Sequence, residues 1–322
     1  MLRSIFDTCI PRAEIQTGEL TETIFAAKIR PVVEGEAPAV YQDATLFFAN
    51  TFPTDGIKTL IREVFARLTG NEEGSSVIRL ETSFGGGKTH DAIALWHICQ
   101  QGRNIPELDR FTDINLIPDY ATQVAAIDGR DLDPINGVYH EDTGVTTYTL
   151  WGEIAYQIGG VRGYDLLKGS DESGISPGTS VLERLTENHP TVIILDEIAR
   201  YLRTAKARTV GNSDLAGQVV SFLFSLMDLA AASNKIIFVY SLASASDTFS
   251  EETNELNELI RASARQERVL SPSTDIEIYN IVKQRVFESV SIDAAKEAAN
   301  AYLNCYRGAR INLPDGCKEA SH

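Results

Sequence analysis

Apolar positions along the chain fall into two patterns. Short continuous runs, VIRLETS at 77–83, TQVAAIDG at 122–129, PTVIILDE at 190–197 and KIIFVYSLAS at 235–244, predict strands buried on both faces. Between them lie stretches with helical spacing. After Pro53, Ile57, Leu60, Ile61, Val64, Phe65 and Leu68 recur every three or four residues until Gly70 stops the helix. DAIALWHICQQG, 91–102, predicts an amphipathic helix ended by Gly102. TYTLWGEIAYQIGG, 147–160, predicts one closed by Gly159 and Gly160. LAGQVVSFLFSLMDLAAAS, 215–233, predicts a long apolar helix. GSDESGISPGTS, 169–180, has the composition of a surface loop, and VLSP after Arg268 is strand-like. From about Asp275 onward there is no strand signal, and the tail predicts two helices.

Buried strands alternating with helices indicate an α/β domain, a mainly parallel sheet sandwiched by helices. Three parts are expected: a helical and irregular wrapping segment over 1–70, broken by Pro11, Pro31 and Pro38; a core over 71–273; and a helical segment over 274–322. In such sheets ligands bind beyond the carboxyl ends of the strands. Three predicted strands end in chemically capable residues: a glycine loop, Asp196–Glu197, and Ser241 to Ser244.

The loop is Thr82, Ser83, Phe84, Gly85, Gly86, Gly87, Lys88, Thr89, with His90 following. It matches the phosphate-loop pattern G-x-x-x-x-G-K-[ST] except at its first position, where Thr82 replaces glycine. The physical parts survive. Three glycines let successive N–H groups converge on an anion, and the helix starting near Lys88 adds its positive end. Lys88 suits the β- and γ-phosphate oxygens of a nucleotide, and the Thr89 hydroxyl suits Mg²⁺. The plainer account is a glycine-rich turn before an ordinary capped helix, with the His90 side chain in local packing. Asp196, at the end of VIIL, supplies an oxygen for the same Mg²⁺, and Glu197 a general base for the attacking water. The plainer account there is a pair of acidic residues at a helix start. Ser241 or Ser244 suits sensing of the γ-phosphate or holding of the water; a helix cap is the alternative.

Guanine readers carry N-K-x-D at a strand end. Here Asn234, Lys235, Ile236 and Ile237 lack the aspartate and precede their strand, so ATP is favoured. The formal net charge of −16 repels nucleic acid and anionic membranes, so direct contact with either requires a local basic patch. No apolar run approaches the ~20 residues of a membrane span. Cys9, Cys99, Cys305 and Cys317 form no C-x-x-C pair, and a reduced cytoplasmic setting is expected.

SFGGGKTH, IILDE and the polar-ended fourth strand together resemble the P-loop NTPase fold of AAA+ type ATPases. With SIFDTCIPRAEI, FFANTFPTDGIKTLIREVF, IILDEIARYLR and SARQERVLSP, the chain is most similar to the "domain of unknown function 499" ATPases. The resemblance implies Mg²⁺-dependent ATP hydrolysis, with the start of a helical lid in the tail. It also implies a place in a phage-defence or DNA-modification complex, through self-association or through methyltransferase and helicase subunits. AAA+ rings use an arginine from a neighbouring subunit; Arg265 and Arg268 are the candidates, with Arg261 behind them, and a solvated helix face is their simpler reading. Members of that family look longer than this chain, so a truncated lid is expected. Two alternatives remain: a nucleotide-gated scaffold with negligible hydrolysis, and a small-molecule phosphotransferase.

Overall fold

The computed structural model describes residues 3–17, 27–70, 74–82, 87–120, 122–243, 261, 267–274, 277–309 and 311–312. The chain divides into two compact units. One comprises residues 27–49 and 53–275; the other comprises 1–26, 50–52 and 276–322.

The first unit is built on a five-stranded sheet. Its strands are β1 (Val77–Thr82), β2 (Gln123–Asp128), β3 (Thr191–Asp196), β4 (Ile236–Ala243) and β5 (Glu267–Leu270). All neighbours run parallel, in the order β5-β1-β4-β3-β2. Successive side chains along a strand point to opposite faces. On β3, Ile193 and Leu195 face one core while Val192 and Ile194 face the other; on β4, Ile236, Phe238 and Tyr240 oppose Ile237 and Val239. This two-sided burial explains the continuous apolar runs. The architecture is a mixed α/β one, a parallel sheet flanked by helices, compatible with a P-loop-like fold.

The helices Leu150–Ser173, Thr179–Thr186, Ile198–Ala205 and Leu215–Ala232 cover one face. Leu215–Ala232 is, among the described residues, the one helix long and apolar enough to cross a membrane, yet over half of it is buried in this core. The other face is covered by Lys88–Gln101 and by the helices Ile29–Glu34, Ala44–Asn50 and Asp55–Leu68. Much of the expected wrapping segment therefore supplies core: Ile29, Phe47, Phe48, Leu60 and Phe65 are fully or almost fully buried.

Three details depart from the sequence reading. Gly160 (φ 59°) does not end its helix but kinks it, and helical structure resumes as far as Ser173, where Gly174 (φ 72°) stops it. The expected surface loop at 169–180 therefore shrinks to 174–178, because its ends are taken by helices. In the second unit the tail does contain a strand. Phe287–Val290 pairs antiparallel with Cys9–Pro11, between the helices Glu277–Val286 and Ile292–Gly308.

Glu153, buried in the first turn after the Thr149 cap, gathers a polar knot. It accepts from Thr147 Oγ1 (2.6 Å) and Gln157 Nε2 (2.9 Å) and lies 3.0 Å from His140 Nε2. Gln157 in turn accepts from the Ala126 amide of β2 at 2.8 Å. Burial pushes the Glu153 pKa up, but the hydrogen bonds from His140, Thr147 and Gln157 outweigh it and hold the group below the ordinary glutamate value. A depressed folded pKa contributes stability above the unfolded value of about 4.3 and loses it as pH falls through the folded value. Glu153→Gln is expected to cost about 1–3 kcal/mol at neutral pH. It should also flatten the loss of stability below about pH 4. Thermal melts across that range check both.

Candidate functional site

The carboxyl ends of β1, β3 and β4 meet at one edge of the sheet. At the end of β1, Thr82 is the last strand residue, and Gly87 opens the helix Lys88–Gln101. Gly87 has φ 95°, a conformation glycine adopts without the β-carbon penalty. Its carbonyl accepts the Asp91 N–H at 2.9 Å, which starts the helix. The Lys88 ammonium turns back to the strand it follows and donates to the Thr82 carbonyl at 2.9 Å.

Thr89, one residue on, donates its hydroxyl to Asp196 Oδ2 at 2.5 Å, although the two are 107 positions apart in the chain. Asp196 is the last residue of β3, and β4 lies between β1 and β3. From β4, the buried Ser241 donates its hydroxyl to the other carboxylate oxygen, Asp196 Oδ1. The same serine oxygen accepts the Glu197 N–H at 3.0 Å. One carboxylate thus ties the start of the helix after β1 to the ends of β3 and β4. Two hard oxygen donors, Thr89 Oγ1 and an Asp196 oxygen, lie side by side. That donor set fits magnesium, which takes few protein oxygens and keeps several waters. Among the described residues no cluster of three or more His, Cys, Asp or Glu forms a separate metal centre.

Glu197 follows directly, with φ 53°, at the head of the helix Ile198–Ala205. Its carboxylate pairs with Arg200 Nε at 3.3 Å. Next to β3, at the end of β2, Asp128 holds the Arg130 guanidinium through Nε and Nη2. That hydrogen bond, then the fields of Asp128, Asp196 and Glu197, raise the guanidinium pKa against the effect of burial.

The structure therefore brings Thr82, Gly87, Lys88, Thr89, Asp196, Glu197 and Ser241 to one edge. Ser83, Phe84, Gly85, Gly86, Ser244 and Arg265 lie outside the described residues. Ser241 spends its hydroxyl on Asp196 rather than on open space beyond the strand. The His90 ring stacks on Phe47 (4.4 Å between centroids, 30° between planes), with Tyr41 edge-on at 6.2 Å. Its side chain thus belongs to the aromatic packing beneath the helix. Arg268, on the edge strand β5, donates to the buried Glu63 of its own chain. Arg261 is an exposed helical residue.

Gly129 and Arg130 were not among the sequence candidates. DGRDLDP, 128–134, is conspicuous for its aspartates but lacks the spacing of a calcium loop. Its position directly after a predicted strand was the available signal.

A search of curated proteins finds no match. The family model described as the DUF499 N-terminal domain matches residues 12–268, a span that runs from the end of Cys9–Pro11 into β5, and the chain belongs to that family.

Proposed function

We propose that this chain binds Mg²⁺-ATP and hydrolyses it as an AAA+-like ATPase on a P-loop NTPase fold, with the tail as the start of a helical lid. The observation that carries the reading is the Thr89–Asp196 contact of 2.5 Å. A hydroxyl at a helix start and a carboxylate at a strand end, drawn from distant parts of the sequence, meet where a phosphate-bound metal needs both. Lys88 and the backbone amides of the glycine loop hold the phosphates. Thr89 and Asp196 hold the metal, and Ser241 fixes the orientation of Asp196. Glu197 takes the proton of the attacking water. When bound, the ion neutralises charge on the β- and γ-phosphate oxygens.

By the family resemblance, the ATPase works in the cytoplasm within a phage-defence or DNA-modification assembly, with copies of itself or with methyltransferase and helicase subunits. Arg268, paired with Glu63, must release a buried carboxylate before it serves a neighbouring subunit. One observation favours a second reading, a nucleotide-gated scaffold: the Glu197 carboxylate is paired with Arg200 and must leave that partner before it takes a proton.

Phosphate release from ATP by the whole chain, with Mg²⁺ and with EDTA, separates these readings. Hydrolysis that requires Mg²⁺ and falls at least about tenfold in Asp196→Asn is the expected result. Thermal stabilisation by Mg²⁺-ATP without phosphate release favours the scaffold. Consumption that requires an added acceptor favours a phosphotransferase.

A further inference from the structure

We infer that the turn Asp128–Gly129–Arg130 at the end of β2 is a positioning device that, with Ser241, holds Glu197 in a strained left-handed backbone conformation and so aims its carboxylate. The inference deepens the hydrolase reading and rests on the role given there to Glu197. Glutamate enters the left-handed region reluctantly, because its β-carbon crowds the carbonyl oxygen. Such a conformation persists only where the surroundings over-determine it, and it gathers at functional sites.

Here the surroundings act from two sides. From β4, the Ser241 oxygen accepts the Glu197 N–H at 3.0 Å, and Asp196 Oδ1 lies 3.1 Å from the same nitrogen. From β2, the Gly129 N–H donates to the Asp196 carbonyl at 2.8 Å. A β-carbon on Gly129 would stand 2.5 Å from the Glu197 carbonyl oxygen, a main-chain atom with no easy retreat. Glycine is the residue that permits this approach. The turn is locked by the buried Asp128, which accepts from the Arg130 backbone N–H at 2.9 Å and from its Nε at 2.8 and 3.0 Å. Relaxing Glu197 to an extended or right-handed backbone would redirect its Cα–Cβ bond, and its carboxylate with it.

Two comparisons test this. Glu197→Gln removes the charge and keeps the strain, whereas Glu197→Gly removes both. At an ordinary position the glycine variant would be the less stable, because it gains freedom in the unfolded chain. Here it is expected to melt about 2–4 °C above Glu197→Gln. Gly129→Ala is expected to lower kcat about 10²-fold while the Kd for Mg²⁺-ATP stays within about twofold. A Glu197→Gly variant that melts below Glu197→Gln overturns the inference, and this comparison stands even if Gly129→Ala does not fold. Loss of turnover in Glu197→Gln together with full turnover in Gly129→Ala also overturns it, while leaving the hydrolase reading intact. Wild-type turnover in Glu197→Gln overturns that reading itself, and the inference with it.

Discussion

Lys88→Ala is expected to abolish ATP binding, with at least about a 10²-fold rise in the Kd for Mg²⁺-ATP. The lysine is the first residue of its helix, and its ammonium already points toward the strand end, where it meets the Thr82 carbonyl at 2.9 Å. That contact is one hydrogen bond to a neutral acceptor. Phosphate oxygens offer the same ammonium several acceptors that carry full negative charge, so a Coulomb attraction adds to the hydrogen bond. Removing the ammonium therefore deletes a positive charge held at the strand end, while the helix keeps a good former in alanine. Calorimetric titration with Mg²⁺-ATP, alongside a melting curve of the unliganded variant, separates lost binding from lost folding. Unchanged affinity in a folded Lys88→Ala variant would remove the phosphate site from this loop.

Glu197→Gln is expected to keep that binding and lower turnover by about 10²–10⁴-fold. The amide matches the carboxylate in shape, so the backbone bonds to Ser241 and Asp196 survive, and with them the Thr89–Asp196 oxygen pair proposed to hold the metal. What disappears is the ability to accept a proton. Affinity equal to that of the unaltered chain, with little phosphate release, would match this expectation. Losing affinity and turnover together would instead give Glu197 a part in holding the nucleotide. In the structure its carboxylate pairs with Arg200 at 3.3 Å, so reaching water requires only a side-chain rotation away from a half-exposed partner. An exposed pair of that kind resists weakly.

Legibility in the sequence followed the reach of the forces involved. VIIL and IIFVY read as strands because both faces of the sheet are buried, and no alternation was needed to see it. Lys88, Thr89, Asp196 and Glu197 drew attention as adjacent letters at predicted strand ends, and the structure brings them to one edge of the sheet. The strand Phe287–Val290 was not, since its partner Cys9–Pro11 stands at the far end of the described chain and local composition carries no trace of it. Gly160 looked like a terminator; only the packing of the helical segment after it, including the buried Tyr164, Leu167 and Asp171, reveals a kink. Ser241 looked like a sensor because its neighbour Asp196 becomes visible only once β4 is known to lie beside β3. Gly129 was silent for the same reason, as a glycine needed for close approach is indistinguishable in sequence from one in any loop.

The pairing of Cys9–Pro11 with Phe287–Val290 has a practical consequence for anyone dissecting this protein. The unit they share is stitched from segments far apart in the sequence, 1–26, 50–52 and 276–322, so no single cut excises it. A clone that starts after residue 11, or stops before 287, leaves one bare strand edge on offer to other molecules. Separating the unit of residues 27–49 and 53–275 therefore means removing 1–26 and 276–322 together, and sticky behaviour after a one-sided deletion would trace to that orphaned edge rather than to a damaged sheet.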